Sequence, residues 1–214
     1  MPLLERPLFP APSDCLALGP AYGVVVIGGS AGGITALIDV LGALPEDFAL
    51  PVLVVQHLSA KRALSSQLPA ILGWRTRLRV KWAEHGERLA PGTVYVAPAD
   101  QHLTVAPGER IALSAAPPVG PWRPAVNTLF HSAAEVYGER AVAIVLSGMM
   151  WDGAAGIAHV ARAGGLTIAQ DEPSSRYFDM PAAAIDVGRA DLVMSPREIA
   201  ETLRLIAEPA RPAV

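Results

Sequence analysis

The chain has 214 residues, 51% of them hydrophobic and 17% charged, with a formal net charge of −3. That length suits one substantial core, and the composition argues against disorder. The weak negative charge supplies no basic field for nucleic acid or anionic lipid, and the single cysteine, Cys15, excludes an internal disulfide or a thiolate metal cage.

Residues 1–22 carry Pro2, Pro7, Pro10, Pro12 and Pro20 and are expected to form an irregular arm. They contain no uninterrupted apolar segment, so neither a signal peptide nor a membrane anchor is expected, and the expected location is a reducing cytoplasm. Val24-Val25-Val26-Ile27 is a β-branched run that reads as a buried strand. It stops at Gly28-Gly29-Ser30-Ala31-Gly32-Gly33, after which Ile34, Leu37, Ile38, Leu41 and Leu44 recur at helical spacing. Ser30 therefore lies in a tight strand-to-helix turn. Such a turn is either a phosphate cradle or, in the spelling Gly28-x-Ser30-x-Gly32, a nucleophile elbow.

Residues 50–56 form a second apolar run that ends in Gln56-His57, and 63–72 carry Leu64, Leu68, Ile71 and Leu72 at helical spacing. Short strands are expected at 80–83 and 93–97. Residues 102–105 and 111–114 flank Pro107-Gly108-Glu109-Arg110 and read as an antiparallel hairpin. Pro117, Pro118, Pro121 and Pro124 then make a stiff linker. Helices are expected at 126–137, 153–163 and 181–187, and strands at 141–146, 166–170 and 192–194. Ser195-Pro196-Arg197-Glu198 opens a last helix with a capping box and proline at its first position. This alternation predicts an α/β fold: a doubly wound, mostly parallel sheet with helices on both faces and an antiparallel hairpin. A single domain is expected over 23–208, with a tail over 209–214.

In open parallel sheets, ligands bind outside the carboxyl ends of the strands. The polar residues just past those ends are Ser30, then Gln56 and His57, then Ser147 to Asp152, then Gln170, Asp171 and Glu172. Ser30, His57 and Asp152 supply a hydroxyl nucleophile, a general base and a carboxylate to orient the base. Each also has a plainer reading: Ser30 as a helix cap, His57 as a packed strand end, Asp152 as the N-cap of the helix that follows it. His102, after Asp100, is a candidate for the site rim, whereas His85 falls in a turn and His131 and His159 in helices. No His-x-x-x-His pair occurs, so no metal site is expected. Dinucleotide binding calls for an acidic residue after the second strand, where Gln56-His57 stands, and no P-loop lysine follows the glycines.

The ordered blocks Val26-Ile27-Gly28-Gly29-Ser30-Ala31-Gly32-Gly33, Val55-Gln56-His57, Val94-Tyr95-Val96-Ala97-Pro98-Ala99-Asp100-Gln101-His102-Leu103, Arg123-Pro124-Ala125-Val126, Leu146-Ser147-Gly148-Met149, Asp152-Gly153-Ala154-Ala155-Gly156 and Ala169-Gln170-Asp171-Glu172 resemble the catalytic domain of CheB-type protein-glutamate methylesterases. The resemblance spans about 24–206. It implies a cofactor-free serine hydrolase that demethylates glutamate methyl esters on chemoreceptor cytoplasmic helices, releasing methanol, and in many members deamidates glutamines. The implied serine, histidine and aspartate fall on Ser30, His57 and Asp152, with backbone N–H groups near Ala31 or Met149 as candidate oxyanion donors. The chain departs from the family's usual pattern at Ala31, where threonine is common, and at Met150-Trp151, where glycine usually follows the methionine. Those departures motivate an alternative reading, a non-catalytic or weakly active receptor-binding module. A receiver domain of roughly 100 residues does not fit into 1–22, so a stand-alone esterase or regulation by a separate chain is expected.

Overall fold

In the computed structural model, which describes residues 22–58, 67–187 and 190–207, the apolar runs read as strands from the sequence form strands. These are β1 (Val24–Gly29), β2 (Val52–Gln56), β3 (Arg79–Trp82), β4 (Thr93–Val96), β5 (His102–Ala106), β6 (Arg110–Ser114), β7 (Ala141–Val145), β8 (Leu166–Gln170) and β9 (Leu192–Met194). The helices are α1 (Gly33–Gly42), α2 (Leu68–Gly73), α3 (Val126–Tyr137), α4 (Ala154–Arg162), α5 (Asp179–Asp186) and α6 (Pro196–Ala207). The arm expected before Tyr22, the first four residues of the helix expected at 63–72, and the tail lie outside the described residues. Helix α5 begins two residues ahead of Pro181. Proline is tolerated in a first turn because its N–H would have had no helical partner.

Seven strands form one sheet in the order β3-β4-β2-β1-β7-β8-β9, and every pairing within it is parallel. The hairpin β5–β6 stands apart as an antiparallel pair. Successive residues along the central strands face opposite sides. Val24 and Val26 join one core with Val126, Leu129 and Phe130 of α3, Ile157 of α4, Met180 of α5 and Leu103 of the hairpin. Val25 and Ile27 join the other, with Leu37 and Leu41 of α1, Leu72 of α2 and Leu203 of α6. The doubly wound architecture is thus built, with a wholly parallel main sheet. No helix among the described residues is long and apolar enough to cross a membrane.

The expected capping box forms at the start of α6. Ser195 N–H donates to Glu198 Oε2 at 2.8 Å, and Glu198 N–H returns a bond to Ser195 Oγ at 3.4 Å. The Ser195 donors hold the Glu198 carboxyl below its ordinary range.

One close approach fixes where α3 sits. A Cβ on Gly28 would lie 2.2 Å from Val126 Cγ1, so the first residue of α3 rests directly on β1 because Gly28 has no side chain. Gly28→Ala is expected to lower stability by about 1–3 kcal/mol through overpacking, read as a lower urea midpoint at unchanged m-value.

Candidate active site

Chain β1 leads to α1 on one face and β7 leads to α4 on the other, so the loops leaving these adjacent strands part at their carboxyl ends. That is the crevice in which open α/β sheets bind ligands. The registers decide what meets there. Gly29 pairs with Gln56, which sets Ser30 beside His57, and Gly28 pairs with Val145, which sets Ser30 beside Ser147. Neighbouring strands run about 4.8 Å apart.

The Ser30 turn is fastened through its backbone. Ser30 N–H donates to Ser147 O at 3.0 Å, and Ser30 O accepts from Gly33 N–H at 3.0 Å and from Gln56 Nε2 at 2.6 Å. Gln56 Nε2 also reaches His57 O, and His57 N–H donates to Gly29 O at 2.9 Å. The residue that caps α1 is Gly32, in the left-handed region at φ +79°, and no side chain bonds the cap. Ser30 therefore does not play the capping role that its position allowed. Its hydroxyl makes no hydrogen bond among the described residues, and its Cβ lies 2.9 Å from where a Gly148 Cβ would stand.

Asp152 departs from its plainer reading as well. It is fully buried, and it does not cap α4, the helix it precedes. Its Oδ2 accepts from Val126 N–H at 2.6 Å and its Oδ1 from Asn127 N–H at 2.9 Å, so it caps α3. Asn127 returns the favour to α4: its Oδ1 accepts the N–H groups of Gly153 (3.1 Å) and Gly156 (2.8 Å). The two helix starts are cross-capped, with Asp152 at the positive end of α3. The same Oδ2 lies 2.9 Å from Nε2 of His57. A carboxylate only accepts, so Nε2 carries the proton and Nδ1 is left with a lone pair. That Nδ1 is buried and has no hydrogen-bond partner among the described residues, and the His57 side chain is 12% exposed.

The remaining predicted residues surround this pair. Ala31 O accepts from Ser147 Oγ at 2.8 Å, and Ser147 N–H donates to Gln170 Oε1 at 2.8 Å, so both turns are pinned to β8. The N–H groups of Ala31 and Met149 donate to no acceptor among the described residues. Met149, Met150 and Trp151 are exposed, and Met150 sits at φ +70°, a conformation that favours glycine. Asp171, expected near the site, accepts from Ser174 within its own turn.

His102 is a correction. It is 2% exposed and does not line the rim. Its Nδ1 accepts from Ala125 N–H and its Nε2 donates to Pro117 O, so it fastens the proline-rich segment from beneath. Arg123 fastens the same segment, with Nε and Nη2 on Asp100 Oδ1 and Nη1 on the carbonyls of Ala115 and Ala116. The linker is a strap, and it delivers a residue that sequence reasoning missed. Trp122 stacks on His57 with ring centroids 5.9 Å apart and planes 14° apart, and Trp151 meets Trp122 edge-on at 5.7 Å. Its one signal in sequence was an aromatic ring set between prolines. Asn127 was missed because nothing in a helical run marks one polar residue as a partner for another helix.

Comparison with known proteins shows what the whole chain is similar to. The CheB methylesterase family model matches residues 25–203. A protein-glutamate methylesterase/protein-glutamine glutaminase 2 of Anaeromyxobacter dehalogenans is 46% identical over 182 residues, covering 85% of this chain and 52% of the relative. The protein-glutamate methylesterase FrzG of Myxococcus xanthus is 41% identical over 175 residues, covering 82% of this chain and 52% of the relative. This chain therefore spans about half the length of these curated relatives. The crystal structure of the Thermotoga maritima CheB methylesterase catalytic domain superposes with a TM-score of 0.82 at 36% identity, over 86% of this chain and 98% of that one.

Removing the cross-caps tests their contribution. Asn127→Ala strands two α4 N–H groups and is expected to cost about 1–2 kcal/mol. Asp152→Ala strands two α3 N–H groups and His57, and is expected to cost about 2 kcal/mol or more. Urea denaturation followed by circular dichroism reads both.

Proposed function

The chain belongs to the CheB methylesterase family, and from that premise we propose that it is a protein-glutamate methylesterase that hydrolyses methylated glutamate side chains of chemoreceptors, with Ser30 as nucleophile, His57 as base and Asp152 as the group that orients the base. The observation that carries this reading is the imidazole itself. It is held at one nitrogen by a buried carboxylate, its other nitrogen is buried and without a partner among the described residues, and the strand register sets His57 beside Ser30, whose hydroxyl makes no hydrogen bond among those residues.

The steps follow from the groups. Ser30 Oγ attacks the ester carbonyl carbon as its proton passes to Nδ1 of His57, and the ring becomes a cation stabilised by Asp152. The carbonyl oxygen takes the electron pair and receives the free N–H groups of Ala31 and Met149, donors of a kind worth roughly 3–4 kcal/mol each when aligned. The tetrahedral adduct collapses, the C–O bond to methoxide breaks, and Nδ1–H protonates it to methanol. Water then gives a proton to Nδ1 and attacks the acyl-serine, which releases a glutamate carboxylate and restores Ser30. A glutamine side chain follows the same course with ammonia as the leaving group, which is the glutaminase reaction. In this scheme Nε2 faces the aspartate and Nδ1 the serine, the reverse of the common serine-protease assignment. Ser30 is not hydrogen-bonded to Nδ1, and in sites of this kind that bond commonly tightens only in the Michaelis complex.

The rim favours a protein substrate. Met149 (50%), Met150 (41%), Trp151 (58%) and Tyr177 (38%) are large apolar side chains exposed near one edge of the sheet. An open, methionine-rich ledge suits the adaptable packing of a helical surface better than the enclosure a small ligand requires. The place of action consistent with receptor cytoplasmic helices is the cytoplasm, and a separate regulatory chain is a partner consistent with the same resemblance.

The test is methanol release from methylated receptors. Ser30→Ala and His57→Ala are each expected to lower the rate by at least about a thousandfold while receptor binding persists. Undiminished release from Ser30→Ala removes the nucleophile assignment. Receptor capture by the native protein without any release points instead to the binding-module reading.

A further inference from the structure

We propose that Trp122 is a positioning residue for His57: its indole covers one face of the imidazole, holds the ring between Asp152 and Ser30, and favours the cation that forms there during catalysis. The proposal rests on the serine-hydrolase reading above and extends it to a group outside the three reacting residues.

A single hydrogen bond to Asp152 anchors one atom of the imidazole but leaves the ring free to turn about that anchor. Among the described residues nothing else bonds the ring, since Nδ1 has no partner there. The indole supplies the missing restraint. It lies nearly parallel to the imidazole, 14° between planes and 5.9 Å between centroids, within the range of offset stacking. The imidazole is neutral at rest and charged once it has taken the serine proton. An aromatic face within about 6 Å attracts a cation, so the contact strengthens as the transition state is approached. An interaction of that kind raises kcat and leaves KM nearly unchanged.

The indole is itself braced. Trp122 and Val119 exchange backbone hydrogen bonds (3.0 and 3.2 Å) around Gly120 at φ +59°, and a Cβ on Gly120 would lie 3.2 Å from the indole. Arg123, the next residue, is bonded to Asp100 and to two carbonyls of the strap. Trp151 closes the arrangement edge-on, with planes at 89°. Trp151 is the neighbour of Asp152, so one loop carries both the carboxylate that bonds the imidazole and the ring that braces its cover. Trp151, part of the Met150-Trp151 departure from the family's usual pattern, here gives Trp122 its support.

The experiment compares native protein with Trp122→Phe, Trp122→Leu, Trp122→Ala and Trp151→Ala in two assays. One is the rate at which a fluorophosphonate probe labels Ser30. The other is methanol release from methylated receptor, analysed as kcat and KM. Labelling and kcat are expected to fall about tenfold in Trp122→Ala and Trp122→Leu and to recover to within about threefold of native in Trp122→Phe. KM is expected to stay within about twofold throughout. Trp151→Ala is expected to show a loss of a few-fold. Circular dichroism and the urea midpoint are expected to match native, which separates positioning from folding. Full activity in Trp122→Leu reduces the indole to an apolar cover and overturns the proposal, and so does a change confined to KM, which makes Trp122 a substrate contact. Native protein that reacts with the probe while Trp122→Ala reacts equally fast overturns the proposal and leaves the serine-hydrolase reading standing. Native protein that does not react removes that reading, and the role of Trp122 falls with it.

Discussion

Asp152 gives both carboxylate oxygens to the first turn of α3 and then shares one of them with His57, all at full burial. A buried carboxylate is costly unless its lone pairs are satisfied, and here two backbone donors and an imidazole N–H satisfy them. The same bonds that make the burial tolerable also set the direction from which His57 is held. Stability and the orientation of the imidazole therefore rest on one group, and a shift in either helix start would reach the imidazole through it.

The placement of α3 is in turn a matter of contact distance. Val126 can donate to Asp152 because α3 begins directly against β1, where Gly28 offers no side chain. Asn127, one residue on, bonds two N–H groups of α4, and α4 follows the loop that carries Asp152. The two helix starts and the loop after β7 thus close into a small cycle of charge-assisted and amide bonds. On the other flank of Ser30, Ser147 and Gln170 tie the turn after β1 to β8. The Ser30 hydroxyl, the proposed nucleophile, has no hydrogen-bond partner among the described residues, in a setting whose backbone is bonded on both sides. Under the proposed function, that combination of a fastened frame and unbonded side-chain atoms supplies the preorganisation that a transition state requires.

The proline-rich segment between β6 and α3 shows how a connection becomes part of a site. Buried His102 and the Arg123–Asp100 pair fasten it, and Trp122 projects from the fastened strap onto His57. Fixed φ at several prolines lowers the cost of ordering such a strap.

Much of this was legible in the residues alone. Continuous apolar runs, many of them β-branched, and glycine-bounded turns mark the buried strands and their order along the chain, and the rule that ligands sit at carboxyl strand ends put Ser30, His57 and Asp152 on a short list of polar residues. Local chemistry carries that information, because each feature involves residues within one or two turns of each other. What the residues could not reveal are pairings between distant segments. Asp152 looked like the cap of its own helix and caps α3, 26 residues earlier in the chain. His102 looked like a rim residue and is a buried fastener. Trp122 looked like part of a linker and lies on the imidazole. Each depends on how α3, α4 and the strap are brought to one sheet edge, and that juxtaposition arises from packing across the whole core, which no local pattern encodes.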